Sequence, residues 1–305
     1  MKKLLLTLAL LISAVSFGQT AEEYFESGFD KAEAKDYYGA ISDYTKAIEL
    51  DPNLANLASA YNNRGNSKKN LKDYNGAIAD FTKAIELDPN NAYAYNNIGI
   101  LKDDLKDFYG AIADFNKAIE LNPNFAKAYY NRGVSKKNLK DYNGAISDYT
   151  KAIELDPNDA IAYNNRGASK DNLKDFNGAI ADFNKAIEIN PNDVNTYNNR
   201  GLSKNNLEDY YGAISDFNKA IELDPNDAIA YNNRGISKYD LEDYNGAISD
   251  FTKAIELNPN YANAYVFRGA SKYYLGDLKG SCADYKNAAN LGDTESAKWV
   301  ASQCN

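Results

Sequence analysis

The segment Tyr61-Asn62-Asn63-Arg64-Gly65 returns along the chain with a fixed period, and that period limits what the chain can become. It recurs at Tyr95–Gly99, Tyr129–Gly133, Tyr163–Gly167, Tyr197–Gly201, Tyr231–Gly235 and, as a variant, Tyr265–Gly269, each glycine 34 residues after the last. A divergent first copy holds Tyr24 and Gly28, 37 residues before Gly65, with three extra residues around Leu54–Leu57. Eight units follow: 21–57, 58–91, 92–125, 126–159, 160–193, 194–227, 228–261 and 262–295, with a tail over 296–305. A unit this short cannot bury its apolar face alone, so each must pack on its neighbours in a stack.

Each unit reads as two helices. In the second unit the first helix is predicted from about residue 58 to residue 71, and Lys72-Asp73 makes a turn in which Asp73 caps the next helix. That next helix carries Ala77, Ile78, Phe81, Ala84, Ile85 and Leu87, one apolar face at helical period. Asp88-Pro89 ends it, because proline cannot continue a helix, and every unit but the last ends this way. Gly65 sits within a helix at a cost of about 1 kcal/mol relative to alanine. Its recurrence calls for close approach of the paired helix, with Ala77 and Ala84 small at the crossing.

Tyr61, Gly65, Ala77, Phe81, Ala84 and Pro89, at their spacing, resemble the tetratricopeptide repeat, and the resemblance covers residues 21–295. It implies an all-α solenoid of eight two-helix repeats, wound as a right-handed superhelix with first helices lining the concave side. It also implies a protein or extended peptide as ligand. The pattern departs from the family in three places. Arginine precedes the glycine in six units (Arg64, Arg132, Arg166, Arg200, Arg234, Arg268), and lysine (Lys68, Lys136) replaces a tyrosine. The last unit lacks the proline and looks like the related Sel1-like repeats. Ser296–Cys304, with Trp299, reads as a closing helix over that unit.

Composition narrows the function classes. The chain has no histidine, which removes the commonest general base and metal ligand together. It has no phosphate-cradling glycine loop and no cysteine pair at zinc spacing. The carboxylates recur in every unit, whereas a catalytic pair should be unique. The expectation is a non-catalytic protein with no cofactor and no metal. Met1-Lys2-Lys3 followed by an apolar run from Leu4 to Phe17 reads as a signal peptide over residues 1–18, and so as an exported, periplasmic or secreted chain. Loss of Lys2 and Lys3 with that leader takes the net charge from −9 to −11. An acidic chain repels phosphate backbones, so nucleic acid is not the expected partner. No later stretch suits a membrane span. In an oxidising compartment Cys282 and Cys304 are expected to pair, since Cys282 replaces an isoleucine that faces the next helix.

Two rows on the first helices are the candidate partner-binding residues. Asn63, Asn97, Asn131, Asn165, Asn199 and Asn233 stand two places before the glycine, and a primary amide offers both donor and acceptor to a peptide backbone. Tyr239, Phe267, Tyr273 and Tyr274 interrupt the pattern toward the C-terminus with aromatic area suited to recognition. The arginines are expected to pair with the recurring aspartates (Asp43, Asp80, Asp114, Asp148, Asp182, Asp216, Asp250, Asp284), each reaching one in its own or the preceding unit. The lysine carboxylate clamp of chaperone-binding family members is absent, because Asn62, Asn96, Tyr130 and Asn164 occupy its places. The reading is an adaptor outside the cytoplasm that holds a protein segment in its groove. The alternatives are a self-associating structural solenoid or an accessory to cell-envelope processing.

Overall fold

The structure is a computed structural model that describes residues 19–53 and 56–304; the expected leader, 1–18, lies outside the described residues. Those residues form seventeen α-helices and no strand. In chain order they are α1 Ala21–Glu33, α2 Tyr37–Leu50, α3 Leu57–Asn70, α4 Tyr74–Leu87, α5 Ala92–Asp104 and α6 Phe108–Leu121. They continue with α7 Ala126–Asn138, α8 Tyr142–Leu155, α9 Ala160–Asn172, α10 Phe176–Ile189, α11 Val194–Asn206 and α12 Tyr210–Leu223. The last are α13 Ala228–Asp240, α14 Tyr244–Leu257, α15 Ala262–Tyr274, α16 Leu278–Asn290 and α17 Thr294–Gln303. No helix among the described residues is long and apolar enough to cross a membrane.

The described helices gather into two compact segments, divided between residues 135 and 136. In the first, α1 packs on α2, α3 on α4 and α5 on α6, with α2 against α3 and α4 against α5 joining the pairs. In the second, the pairs α9–α10, α11–α12, α13–α14 and α15–α16 are joined the same way, and α17 lies on α16.

The turn within each pair is one repeated device. After α3, the Lys72 N–H donates to Lys69 O and the Asp73 N–H to Lys68 O, each at 2.9 Å, which is the Schellman arrangement. The residue at its left-handed position is Lys35, Lys72, Lys106, Lys140, Lys174, Glu208 or Glu242, with φ of 62–64°. Only the last pair uses glycine there, Gly276 at φ 82°. Asp73 then caps α4 by accepting from the Gly76 N–H at 3.0 Å, and Asp36, Asp107, Asp141, Asp175, Asp209, Asp243 and Asp277 do likewise. The turn into α17 is of the same kind, with Gly292 at φ 100° and the Asp293 N–H donating to Ala288 O. The closing helix therefore starts at Thr294, two residues before the sequence pattern places it.

Close approach explains the helical glycines, but the partner is the aromatic residue rather than the small ones. A Cβ on Gly65 would lie 2.7 Å from Phe81 Cε1, and Gly99, Gly167, Gly201 and Gly235 face Phe115, Phe183, Phe217 and Phe251 at 2.6–2.8 Å. Ala77, Phe81 and Ala84 are fully buried, as are most of their equivalents, and the apolar clusters they form run from one pair into the next.

Candidate peptide-binding face

In five units the arginine before the packed glycine ends on the aspartate of its own unit. Arg64 donates through Nε and Nη2 to both oxygens of Asp80, at 2.9 and 2.7 Å. Arg166–Asp182, Arg200–Asp216, Arg234–Asp250 and Arg268–Asp284 repeat the fork, with Nη2–Oδ1 distances of 2.5–2.7 Å. The remaining Nη1 reaches back to the preceding unit, where Thr45, Asn116, Thr150, Asn184, Asn218 or Thr252 accepts at 2.6–3.1 Å. Each guanidinium also lies 5.1–5.6 Å from the ring of the tyrosine three residues earlier. A lysine adds a second cation to the aspartate, as Lys68 does for Asp80 at 2.8 Å. The arginine row thus lies inside the stack and is not a free basic stripe. Its value is coupling: removing either partner leaves a buried charge uncompensated.

Two units lack the arginine. In the first, the Ser27 hydroxyl donates to Asp43 at 2.6 Å and Lys31 pairs with it. In the third, Ile98 takes the place and joins an apolar cluster with Ala77, Phe81 and Leu101. Among the described residues Asp114 then has only Lys102, an ion-pair contact at 2.6 Å that is not aligned as a hydrogen bond. Burial pushes the Asp114 carboxyl above its ordinary value despite that lysine.

The asparagine row is partly committed to the protein itself. The side-chain amides of Asn97, Asn131 and Asn199 donate to Asn62, Asn96 and Asn164 of the preceding unit, at 3.0–3.1 Å. Asn63 accepts from Asn62 at 3.4 Å, Asn165 accepts from Lys137 at 2.7 Å, and Asn233 is buried and accepts from Asn232 at 3.3 Å. The sequence reading missed Asn62, Asn96 and Asn164, first asparagines of their Tyr-Asn-Asn triplets, as the acceptors, although their recurrence beside the second was the available signal. The side-chain oxygens of Asn97, Asn131 and Asn199 accept no hydrogen bond among the described residues, so the zipper leaves acceptors over. Beside this row the first helices expose apolar side chains: Tyr93, Ile161, Leu202 and Ile229 are 41–63% exposed.

The aromatic residues divide. Tyr239 and Phe267 pack around Phe251 and Ala254, and Tyr239 meets Tyr244, Phe267 and Tyr274 with ring centroids 5.5–5.9 Å apart. Burial pushes the Tyr239 phenol up, and the neighbouring Tyr274 adds to the rise. Both rings therefore belong to the core of the last units. Tyr273 and Tyr274 stay 49% and 59% exposed, with Tyr273 edge-on to Trp299 of α17. Trp299 in turn lies 4.2 Å from Tyr285. Cys282 of α16 and Cys304 after α17 are bridged, their Cα atoms 5.7 Å apart.

Stacked helical hairpins tied by repeated side-chain bonds, with between-unit variation gathered on the first helices, define a repeat scaffold. The family model for the tetratricopeptide repeat matches residues 58–91, 92–125, 126–159, 160–193, 194–227 and 228–261, more than half of the chain. The chain belongs to the tetratricopeptide repeat family, and is a scaffold for protein interaction. Among solved structures it is similar to YrrB, described as a TPR protein with an unusual peptide-binding site. That likeness has 28% identity and a TM-score of 0.54, over 60% of this chain and 95% of YrrB. A MamA fragment (41-end) from Desulfovibrio magneticus RS-1 matches at 25% identity and a TM-score of 0.53, over 56% of this chain and 96% of that one. The C-terminal part of a TPR repeat-containing protein from Cytophaga hutchinsonii shares the fold at 22% identity and a TM-score of 0.63, over 77% and 97% of the two chains. None of the curated proteins matches the chain.

Proposed function

We propose that the protein is an exported adaptor that holds an extended segment of a partner protein along the first-helix face. The observation that carries this reading is where the units differ. The glycine, aromatic and aspartate positions are taken up by packing and pairing within the stack. The ninth, twelfth and thirteenth positions of the first helix vary and line one face, for example Leu202, Asn205 and Asn206 against Ala270, Tyr273 and Tyr274. Amide acceptors and exposed apolar side chains on that face suit a backbone with alternating side chains. The apolar run from Leu4 to Phe17 and the paired cysteines support action outside the cytoplasm.

The test is co-purification from the native cell, followed by two charge insertions on the face, Leu202→Glu and Ile229→Glu. Partner capture should fall about tenfold or more with either, and persist with Tyr109→Ala at the exposed start of α6. Equal capture by all three proteins refutes the reading. A partner that proves to be a second copy, seen by sedimentation, replaces it with self-association.

A further inference from the structure

The first segment contains a cavity of about 300 Å³ between α1, α2 and α3, and its lining is unlike the rest of the stack. Tyr44 stands where five other units place phenylalanine (Phe81, Phe115, Phe183, Phe217 and Phe251) and two place tyrosine (Tyr149 and Tyr285). The ring packs on Gly28 as those rings pack on their glycines. Against the phenylalanine units the hydroxyl is what differs: Tyr44 is 0% exposed, and among the described residues Oη has no hydrogen-bond partner, the nearby Asn63 amide falling short of an aligned bond. An unpaired buried hydroxyl costs about 1–3 kcal/mol. A phenylalanine would have packed without that cost, so the hydroxyl needs a reason outside the fold.

Asn66 is the second departure. It stands at the ninth place, where Ile100, Val134, Ala168, Leu202, Ile236 and Ala270 are all apolar. Its side chain lines the same cavity and makes no hydrogen bond, only its backbone oxygen accepting from Asn70. Around these two lie the Asn63 amide, the Glu33 carboxylate and the rings of Phe29 and Tyr37, and no basic side chain lines the space. The helix behind it is acidic: α1 carries Glu22, Glu23, Glu26, Asp30 and Glu33 against Lys31 alone, and Lys31 is already paired with Asp43. Burial pushes the Tyr44 phenol up to about 12, and the charges of Glu26, Glu33 and Asp30 press in the same direction.

Oxygen acceptors, one carboxylate, aromatic walls and a negative field call for a planar cation with many donors. We infer that this cavity is a subsite for an arginine side chain of the bound segment, with Tyr44, Asn63, Asn66 and Glu33 accepting from the guanidinium. The inference rests on the first-helix face being the peptide-binding face. A guanidinium has five N–H donors and no acceptor, and its weak hydration and affinity for aromatic faces suit Phe29 and Tyr37. A carboxylate would meet Glu33 and the α1 charges, and a neutral amide would leave the field unused.

The test needs no partner protein. N-acetyl-arginine methylamide is titrated into the protein while the side-chain amide resonances of Asn63 and Asn66 are followed by NMR. The neutral isostere N-acetyl-citrulline methylamide serves as the comparison. Saturable shifts at about millimolar concentration are expected for arginine, with citrulline about tenfold weaker. Tyr44→Phe should bind arginine several-fold more weakly while its thermal midpoint stays level or rises. Asn66→Ile, which installs a residue found at this place in another unit, should weaken binding in the same way. Equal binding of arginine and citrulline, or an unchanged arginine titration in both variants, overturns the subsite. Partner capture by the Leu202→Glu and Ile229→Glu proteins is read separately, so that failure leaves the face itself standing.

Discussion

The left-handed turn residue offers a stability experiment whose sign depends on charge. Lysine or glutamate occupies seven positions at φ 62–64°, and glycine occupies the eighth, Gly276. A side chain in this region costs about 1–2 kcal/mol. Glycine removes that cost but gives back about 0.4–1 kcal/mol through the freedom of the unfolded chain. The backbone gain of a change to glycine is therefore about 0.5–1 kcal/mol at every one of these turns. The second contribution is the helix C-terminus one residue away, where a cation is worth about 0.3–1 kcal/mol and an anion costs a similar amount. Lys140→Gly and Lys174→Gly give up a favourable charge and should gain only about 0–0.5 kcal/mol. Glu208→Gly and Glu242→Gly also relieve an unfavourable one and should gain about 1–1.5 kcal/mol. Urea unfolding followed by circular dichroism at low salt measures the four variants and the Glu208→Gly, Glu242→Gly pair. In 1 M salt, where the screening length falls to about 3 Å, the two classes should converge. Glutamate variants that gain no more than lysine variants at low salt would refute the argument.

The helical glycines should respond in proportion to clearance. Gly65→Ala, whose Cβ would sit 2.7 Å from Phe81, should cost about 1–3 kcal/mol, and Gly269→Ala, at 3.2 Å from Tyr285, clearly less in the same unfolding assay. Asp216→Asn breaks a buried fork and should cost about 3 kcal/mol at neutral pH. Asp114→Asn should do the opposite. Because folding raises the Asp114 pKa, its favourable contribution is complete below the unfolded value and is lost as pH rises through the folded one. The variant should therefore match the parent at about pH 3 and be slightly more stable at pH 7. Alkylation of the protein without reductant, read by intact mass, should label neither cysteine. Reduction should cost about 3 kcal/mol for a 22-residue separation and change Trp299 fluorescence as α17 loosens from Tyr285.

The period, the two helices per unit, the aspartate caps and the arginine–aspartate pairing were legible in the sequence because each follows from local rules repeated at a known offset. What was less legible is which side chains such rules leave free. Asn63 and its equivalents look alike in the sequence, yet Asn199 is tied to Asn164, Asn165 to Lys137, and Asn233 is buried. Replacing them by alanine would loosen the stack as well as remove ligand contacts, so Leu202 and Ile229 are the cleaner probes. Tyr239 and Tyr274 are equally aromatic in sequence, and only packing around Phe251 separates the core ring from the exposed one. The Tyr44 cavity needed three helices in place before a single hydroxyl and a single asparagine stood out.

The backward reach of each arginine Nη1 has a consequence for how the gene can change length. Consider excision of residues 194–227. Arg234 would then find Asn184 where it now holds Asn218, the same amide at the same offset. Ser237, which now donates to Asn205, would find Asp171, the residue that already accepts from Ser203. Asn233 would face Asn164, which already accepts from Asn199. These three bonds across the new seam have precedents elsewhere in the chain, whereas the exposed Asn205–Asp240 bond would be lost, Asp171 taking the place of Asn205. Unequal crossing-over between near-identical copies would thus produce folded proteins one unit shorter or longer, with the same joints and a different number of ligand positions.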